Sequence, residues 1–342
     1  MRRLFVAGGA GFIGSNFIRH VLRERPDLQV VNFDALTYAG NQQNLRDAAA
    51  DQRYTFVYGT VADAAAVSDA MRGCDAAVNF AAETHVDRSI QDASDFIETN
   101  VRGAYNVLVA ARDVGVQRVL HISTDEVYGP ATAGDPRHED DAFRPRSPYA
   151  ASKAAGDLMC RAFAETYGLE AVVARPANNV GPYQYPEKAV PLFVTNALQD
   201  EPLPLYGDGM QQRDRLYVGD CVRALLLLIE SGEPGEAYNI QADNHRTNID
   251  VARAILDLLD KPYSLIRHVE DRQGHDASYY MDWSKLRALG WRPQLGFPAA
   301  LEQTVRWYAD NRWWWDPIRS GDFRRFYDRQ YADRLAHARP HA

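Results

Sequence analysis

The stretch Leu4-Phe5-Val6-Ala7-Gly8-Gly9-Ala10-Gly11-Phe12-Ile13-Gly14 decides the fold. A short apolar run that reads as a buried strand breaks into glycines, and a helical pattern starts at Ser15. Only glycine lets the backbone turn this tightly and approach a pyrophosphate, which then rests against the free amides and positive end of the helix. The run fits two registers, Gly9-x-Gly11-x-x-Gly14 and Gly8-x-x-Gly11-x-x-Gly14. Glycine spacing alone is a weak signal, but here the strand-turn-helix context accompanies it. The next apolar run, Val30-Val31-Asn32-Phe33, ends at Asp34, 20 residues after Gly14. A carboxylate there accepts hydrogen bonds from an adenosine ribose and repels a 2′-phosphate, so the expected cofactor is NAD rather than NADP. Read alone, Asp34 could equally be a helix cap or a solvated loop residue. The glycine run beside it favours the ribose.

Further apolar runs lie at 55–58, 76–80, 119–123 and 171–174, with helix-length segments between them. Continuous runs without alternation suit strands covered on both faces, which implies a parallel sheet with helices on each side. The expected fold class is therefore α/β, a doubly wound Rossmann sheet. After Pro176, prolines at 182, 186, 191, 202 and 204 and glycines at 207 and 209 cut the chain into short elements. This marks a smaller α/β substrate-binding region. Leu216-Tyr217-Val218-Gly219-Asp220, an apolar helix over 221–229 and the strand-like Ala237-Tyr238-Asn239-Ile240 read as a return to the sheet. The expected division is a cofactor domain over 1–175 rejoined by 214–240, a substrate domain over 176–213 and 241–325, and a C-terminal tail over 326–342 behind a helical cap from Trp313.

The 342 residues, 46% hydrophobic and 25% charged, suffice for a full core and exclude a small disulfide or metal scaffold. With 38 Lys+Arg against 46 Asp+Glu the net charge is -8, which lacks the basic footprint of a nucleic-acid binder. A small phosphorylated ligand remains compatible, because one Arg and a few amides suffice for it. Cys74, Cys160 and Cys221 are odd in number and widely spaced, which suits a reducing compartment. No signal-like or membrane-spanning stretch is present, so the expected location is cytoplasmic, with neither membrane nor nucleic-acid partner and no metal.

Tyr149-Ala150-Ala151-Ser152-Lys153 opens a helical segment after Ser147-Pro148, and its four-residue spacing sets phenol and ammonium on one face. A nearby cation lowers a tyrosine's pKa, so the phenolate can take a proton from an alcohol. The fifth strand runs into Ser123-Thr124-Asp125-Glu126. Ligands of open α/β sheets bind outside the carboxyl ends of strands, which is where Thr124, Asp125 and Glu126 belong. Two adjacent carboxylates there invite divided protonation, one as acid and one as base. The bland alternatives are a surface Tyr/Lys pair and a solvated acidic loop.

These segments resemble the extended short-chain dehydrogenase/reductase superfamily and, within it, the dTDP-glucose 4,6-dehydratases. The resemblance covers nearly the whole chain. It rests on residues 8–16, 36–41, Phe80-Ala81-Ala82-Glu83-Thr84-His85-Val86-Asp87-Arg88-Ser89, 121–129, Tyr149 to Lys153, Asn178-Asn179, Gly181-Pro182-Tyr183-Gln184, Pro186-Glu187-Lys188, Tyr206-Gly207-Asp208-Gly209, Arg213-Asp214, and Asp271-Arg272 with Gly274-His275-Asp276. It implies that Tyr149, supported by Lys153 and alongside Thr124, takes the sugar 4-hydroxyl proton while hydride passes from C4 to NAD. Glu126 would then take the C5 proton, Asp125 would protonate the departing 6-hydroxyl, and the hydride would return to C6. The product is a 4-keto-6-deoxy sugar plus water. A UDP-sugar 4,6-dehydratase or nucleotide-sugar 4-epimerase on the same scaffold is the alternative, and a cofactor-sensing protein without catalysis a further one.

The resemblance also assigns cofactor contacts to Gly8, Gly11, Phe12, Ile13, Gly14, Asp34, Leu36, Thr37, Thr60, Val61, Ala81, Ala82, Thr99, Tyr149, Lys153 and Asn179. It assigns nucleotide-sugar contacts to Thr84, Asn178, Lys188, Tyr206, Arg213, Asn248 and His275. Arg213 suits a diphosphate on its own chemistry, the competing reading being an ion pair with Asp214; for His275 it is an ordinary loop histidine. The chain departs from the pattern at Ala7 (usually Thr), Thr60 (usually acidic), Val180 (usually Tyr) and Arg215 (usually Trp). A homodimer through helices at 93–114 and 149–167 is implied as well.

Overall fold

The computed structural model describes residues 1–341. Strands Arg3–Ala7 (β1), Gln29–Asp34 (β2), Tyr54–Tyr58 (β3), Ala76–Asn79 (β4), Arg118–Ile122 (β5) and Glu170–Pro176 (β6), with a seventh at Ala237–Ile240, form one parallel sheet. Its order runs from Ala237–Ile240 through β6, β5, β4, β1 and β2 to β3. β1 pairs with β2 on one side and β4 on the other, Val6 lying between Asn32 and Val78. The strand order therefore reverses at β1, which opens a crevice at the carboxyl ends of the strands.

Alternate residues of β1 feed two cores. Leu4 and Val6 join Phe17, Ile18 and Val21 of helix α1 (Phe12–Glu24) and Leu225 and Leu228 of helix Val218–Ser231. Phe5 and Ala7 join Met71, Leu108 and Phe163 from helices Ala64–Met71, Ala104–Val114 and Pro148–Tyr167 on the opposite face. The expected unbroken burial holds for the inner strands, whereas β3 at the sheet edge is half exposed. The segment expected as one helix over 93–114 widens into π-helical turns at Ile97–Gly103. There Asn100 is buried and exchanges hydrogen bonds with the backbone of Glu83.

A third core belongs to the second region. Strands Leu203–Tyr206 and Ile266–Val269 run parallel, and helices Ala189–Leu198, Asn248–Leu258 and Phe297–Asp310 pack with them around Leu192, Phe193, Ile255, Leu301 and Tyr308. The expected cap is present as helix Arg312–Arg319, with Trp314 and Trp315 buried. The expected tail is not a tail: Asp322–Ala336 is a helix that buries Phe323, Tyr327 and Tyr331 in this core. Aromatic residues four apart give it an apolar stripe despite its many arginines. Among the described residues no helix is long and apolar enough to cross a membrane, and no cluster of His, Cys, Asp or Glu could hold a metal ion.

Candidate active site

The glycine loop is shaped by contacts that exclude side chains. Gly8 has φ +75°, and a Cβ there would sit 2.5 Å from the Ala81 nitrogen; at Gly14 one would sit 2.4 Å from the Gly8 carbonyl oxygen. Gly8, Gly11 and Gly14 line the cleft, while Gly9 is pressed against Asn32 and Ile18, so the second register is the one that faces a ligand. Gly11 caps α1 without a side-chain bond, which leaves first-turn amides available to an anion. The loop is also braced from the far end of the chain. Trp314 Nε1 donates to Asn44 Oδ1 (2.7 Å), and Asn44 Nδ2 donates to the Ala10 carbonyl (2.8 Å).

Asp34 is buried at the end of β2, where Oδ2 accepts from the Ala10 amide and Oδ1 from the Leu36 amide, both at 2.8 Å. Burial still pushes its carboxyl above the usual range, against the pull of those two bonds. Thr37, Thr60, Val61, Ala81, Ala82, Thr99 and Asn179 line the same cleft. Leu36 does not line it: at φ +49° its amide is turned onto Asp34, and backbone rather than side chain is its contribution. Asn179 Oδ1 is buried without a partner beside this cradle. The cleft thus has the shape and donor set for a dinucleotide.

Where β5 ends, Thr124 caps the short turn Asp125–Tyr128. Its Oγ1 accepts from the Glu126 amide (3.3 Å) and donates to Asp125 Oδ1 (3.0 Å). Burial, and after it the charge of Glu126, push the Asp125 carboxyl up to about 7. Glu126 is raised by burial too, but Arg272, Arg213 and Lys188 pull it back toward the ionised form. The pair is therefore divided into a proton holder and an acceptor.

Ser147 caps helix Pro148–Tyr167, whose first turns deliver Tyr149 and Lys153 into the cleft. Lys153 Nζ donates to the Ile122 carbonyl (2.6 Å), and burial pulls its ammonium down to about 8. The expected depression of the Tyr149 phenol is not found. Burial, then Glu126, push it well above its ordinary value, and a hydrogen bond with Thr124 only partly opposes them. The carboxylates are the charges that act on this phenol, while Lys153 is committed to a carbonyl.

A second cavity adjoins the first, and Glu126, Asn178, Asn179, Gln184, Glu187 and Lys188 line both. Thr84 lines the first; Tyr206, Arg213, Asn248 and His275 line the second. Lys188 Nζ donates to the Thr84 carbonyl (2.6 Å). Arg213 makes no ion pair with Asp214. It donates to the carbonyls of Gln212 (2.7 Å) and Asp276 (2.9 Å) and lies 4.4 Å above the Tyr279 ring, while Asp214 accepts from the amides of Ala242 and Asn244. His275 Nδ1 lies 2.6 Å from Asp271 Oδ1, and burial, then Arg272, pull its imidazole down to about 4, so it meets the cavity neutral.

Sequence reasoning gave no role to several residues of this wall. Tyr206 donates to Asp87 Oδ2 (2.9 Å), and Gln330 Nε2 donates to the Tyr206 oxygen (2.8 Å) and to Asp87 (3.2 Å). Arg272 and Tyr331 line the cavity beside them. Asp87 and Arg272 stood in quoted segments, a usable signal, whereas Gln330 and Tyr331 lay in the supposed tail.

The model of the NAD dependent epimerase/dehydratase family matches residues 4–240, and the chain belongs to that family. Its similarity extends to proteins of narrower description. A dTDP-glucose 4,6-dehydratase from Streptomyces niveus is 46% identical over 327 residues, covering 94% of this chain and 96% of that protein. The dTDP-glucose 4,6-dehydratase 1 of Escherichia coli (strain K12) is 44% identical over 360 residues, covering 97% and 99%. The crystal structure of a dTDP-glucose 4,6-dehydratase from Streptomyces venezuelae with NAD and TYD bound superimposes with a TM-score of 0.90 at 49% identity, covering 92% of this chain and 99% of that one.

Proposed function

We propose that this protein converts dTDP-glucose to its 4-keto-6-deoxy sugar and water with NAD as cofactor. The observation that carries this reading is the divided carboxylate pair. Asp125 holds a proton near neutral pH, and Glu126 stands at the junction of the two cavities within reach of cationic charge. Relatives of that description over nearly the full length support it.

The glycine loop, Asp34 and the first-turn amides of α1 would hold NAD, which when bound supplies the hydride acceptor for C4 and donor for C6. Tyr149 stands as the base for the 4-hydroxyl proton, with the Thr124 hydroxyl alongside; because burial and Glu126 hold its phenol neutral, it must first give up its own proton before it can take that of the sugar. Lys153 fixes the floor of the site through the Ile122 carbonyl. Once C4 is a ketone the C5 proton is acidic, and the Glu126 carboxylate removes it. Asp125 gives its proton to the departing 6-hydroxyl, which leaves as water. Arg213, Lys188 and Asn248 face the nucleotide-sugar from the second cavity.

We further infer a cytoplasmic homodimer. Exposed Ile97, Tyr105, Leu158 and Tyr167 on the two helical segments named above support the dimer, and three buried, unpaired cysteines support the compartment. Incubation with dTDP-glucose and, in parallel, UDP-glucose tests the function. The expected product from dTDP-glucose is lighter by one water, with no net NADH; steady NADH release or a product of unchanged mass overturns the reading.

A further inference from the structure

Arg215 is unexplained by the chemistry above, yet it sits in the wall of the second cavity. The backbone around it is extended, with strands at Gln212–Asp214 and Leu216–Tyr217. Residues two apart on extended chain point to the same side. Arg213 and Arg215 accordingly both face the cavity, while Asp214 between them turns away to the amides of Ala242 and Asn244. Both arginines are almost fully buried, at 6% and 5% exposure.

The guanidinium of Arg215 has one side-chain bond, from Nη2 to Asn248 Oδ1 (2.6 Å), and its Nε is buried without any partner. Asn248 is neutral and, among the described residues, no carboxylate forms an ion pair with the guanidinium, the only opposing charge acting on it being that of the neighbouring Asp214, which is turned to the amides of Ala242 and Asn244. Two acids of the cavity pair elsewhere, Asp87 3.5 Å from Arg272 and Glu187 3.2 Å from Arg88, and the third, Glu126, makes no ion pair with Arg215, the cations that act on it being Arg272, Arg213 and Lys188. A buried cation without an anion is costly. Its own environment registers that cost, for burial, and then the charge of Arg213, pull Arg215 down to about 10. An anionic ligand in the cavity removes the imbalance, and a planar guanidinium with free N–H donors matches phosphate oxygens.

We propose that Arg215 is a direct contact for the diphosphate of the nucleotide-sugar, acting with Arg213 and held in place by Asn248. This assignment rests on the nucleotide-sugar reading given above. It makes the cavity respond to the number of phosphates on the ligand.

Calorimetric binding of dTDP, dTMP, thymidine and UDP to the full-length, NAD-loaded protein tests it, with Arg215→Met and Arg215→Lys beside the wild type. Losing charge-assisted hydrogen bonds is expected to weaken dTDP binding to Arg215→Met about ten- to a hundredfold, with thymidine changed less than about threefold. Arg215→Lys, which keeps the charge but loses the Nε donor, is expected to fall between. Unchanged dTDP affinity in folded Arg215→Met, or an equal loss for thymidine, overturns the assignment. Should Arg215→Met fail to retain NAD or to melt cooperatively, unchanged dTDP affinity in Arg215→Lys overturns it instead. The functional reading fails separately: a wild type that prefers UDP to dTDP removes the thymidine nucleotide, and the same variants then decide Arg215 on UDP. A wild type that binds neither nucleotide overturns both.

Discussion

Replacing Asp125 with Asn keeps the volume of the side chain and an oxygen for the Thr124 hydroxyl, which donates to Oδ1 at 3.0 Å. It removes the proton that the acid delivers. Loss of one positioned acid costs about 10²–10⁴ in rate, so dehydration of dTDP-glucose falls by that order while oxidation at C4 continues. The same change has a second effect, on stability. Burial and Glu126 lift the Asp125 carboxyl from its ordinary 3.8 to about 7. Between those values the folded protein keeps a proton that the unfolded chain has released, so each rise of one pH unit costs folding about 1.4 kcal/mol. Well below that window both states carry the proton and the penalty vanishes. Above about pH 7 the penalty is complete, with an upper limit of about 4 kcal/mol. Neutral Asn escapes it. Thermal melts of the NAD-loaded proteins are therefore expected to show Asp125→Asn above wild type, with an advantage that grows between about pH 4 and about pH 7 and levels off above it. A pH-independent difference, or dehydration at the wild-type rate, refutes the buried-acid argument.

Glu126→Gln removes the base and, with it, a charge that raises both Asp125 and Tyr149. The expected result is NADH formed without dehydration and without exchange of the C5 proton for solvent deuterium; exchange at the wild-type rate removes Glu126 from the mechanism. Trp314→Phe leaves Asn44 Oδ1 without its donor, which is expected to cost about 1–3 kcal/mol in urea unfolding and to weaken NAD retention through the Ala10 carbonyl. Unaltered stability and retention would mean that Asn44 holds the loop unaided.

The features legible in the sequence were those carried by local pattern. The glycine loop, the buried strands and the Tyr149/Lys153 spacing each need only neighbours along the chain to be read. The order of strands β4, β1 and β2 follows from the same βαβ logic. What escaped was set by partners far apart in sequence. The resemblance gives Leu36 a cofactor contact, but at positive φ it lies outside the cleft lining and its amide donates to Asp34 instead. Tyr149 looked tuned by Lys153, but the charges pressing on it come from the turn after β5. The tail expected over 326–342 lies largely within helix Asp322–Ala336, whose Phe323, Tyr327 and Tyr331 meet the aromatic core beneath it. The Arg213–Asp214 pairing is the converse case, since adjacent residues on extended chain face opposite ways.

Asp34 has a consequence for how this enzyme can change. Its two oxygens staple both the glycine loop, at Ala10, and the turn after β2, at Leu36. A mutation that discards the carboxylate to admit a 2′-phosphate would also release two backbone segments that shape the pyrophosphate cradle. A switch of nucleotide preference is thus not one step away but several, with poorly folded or poorly binding intermediates between. On the proposed assignment of Asp34 to the ribose, its second role as a clasp makes it a barrier against drift toward another cofactor.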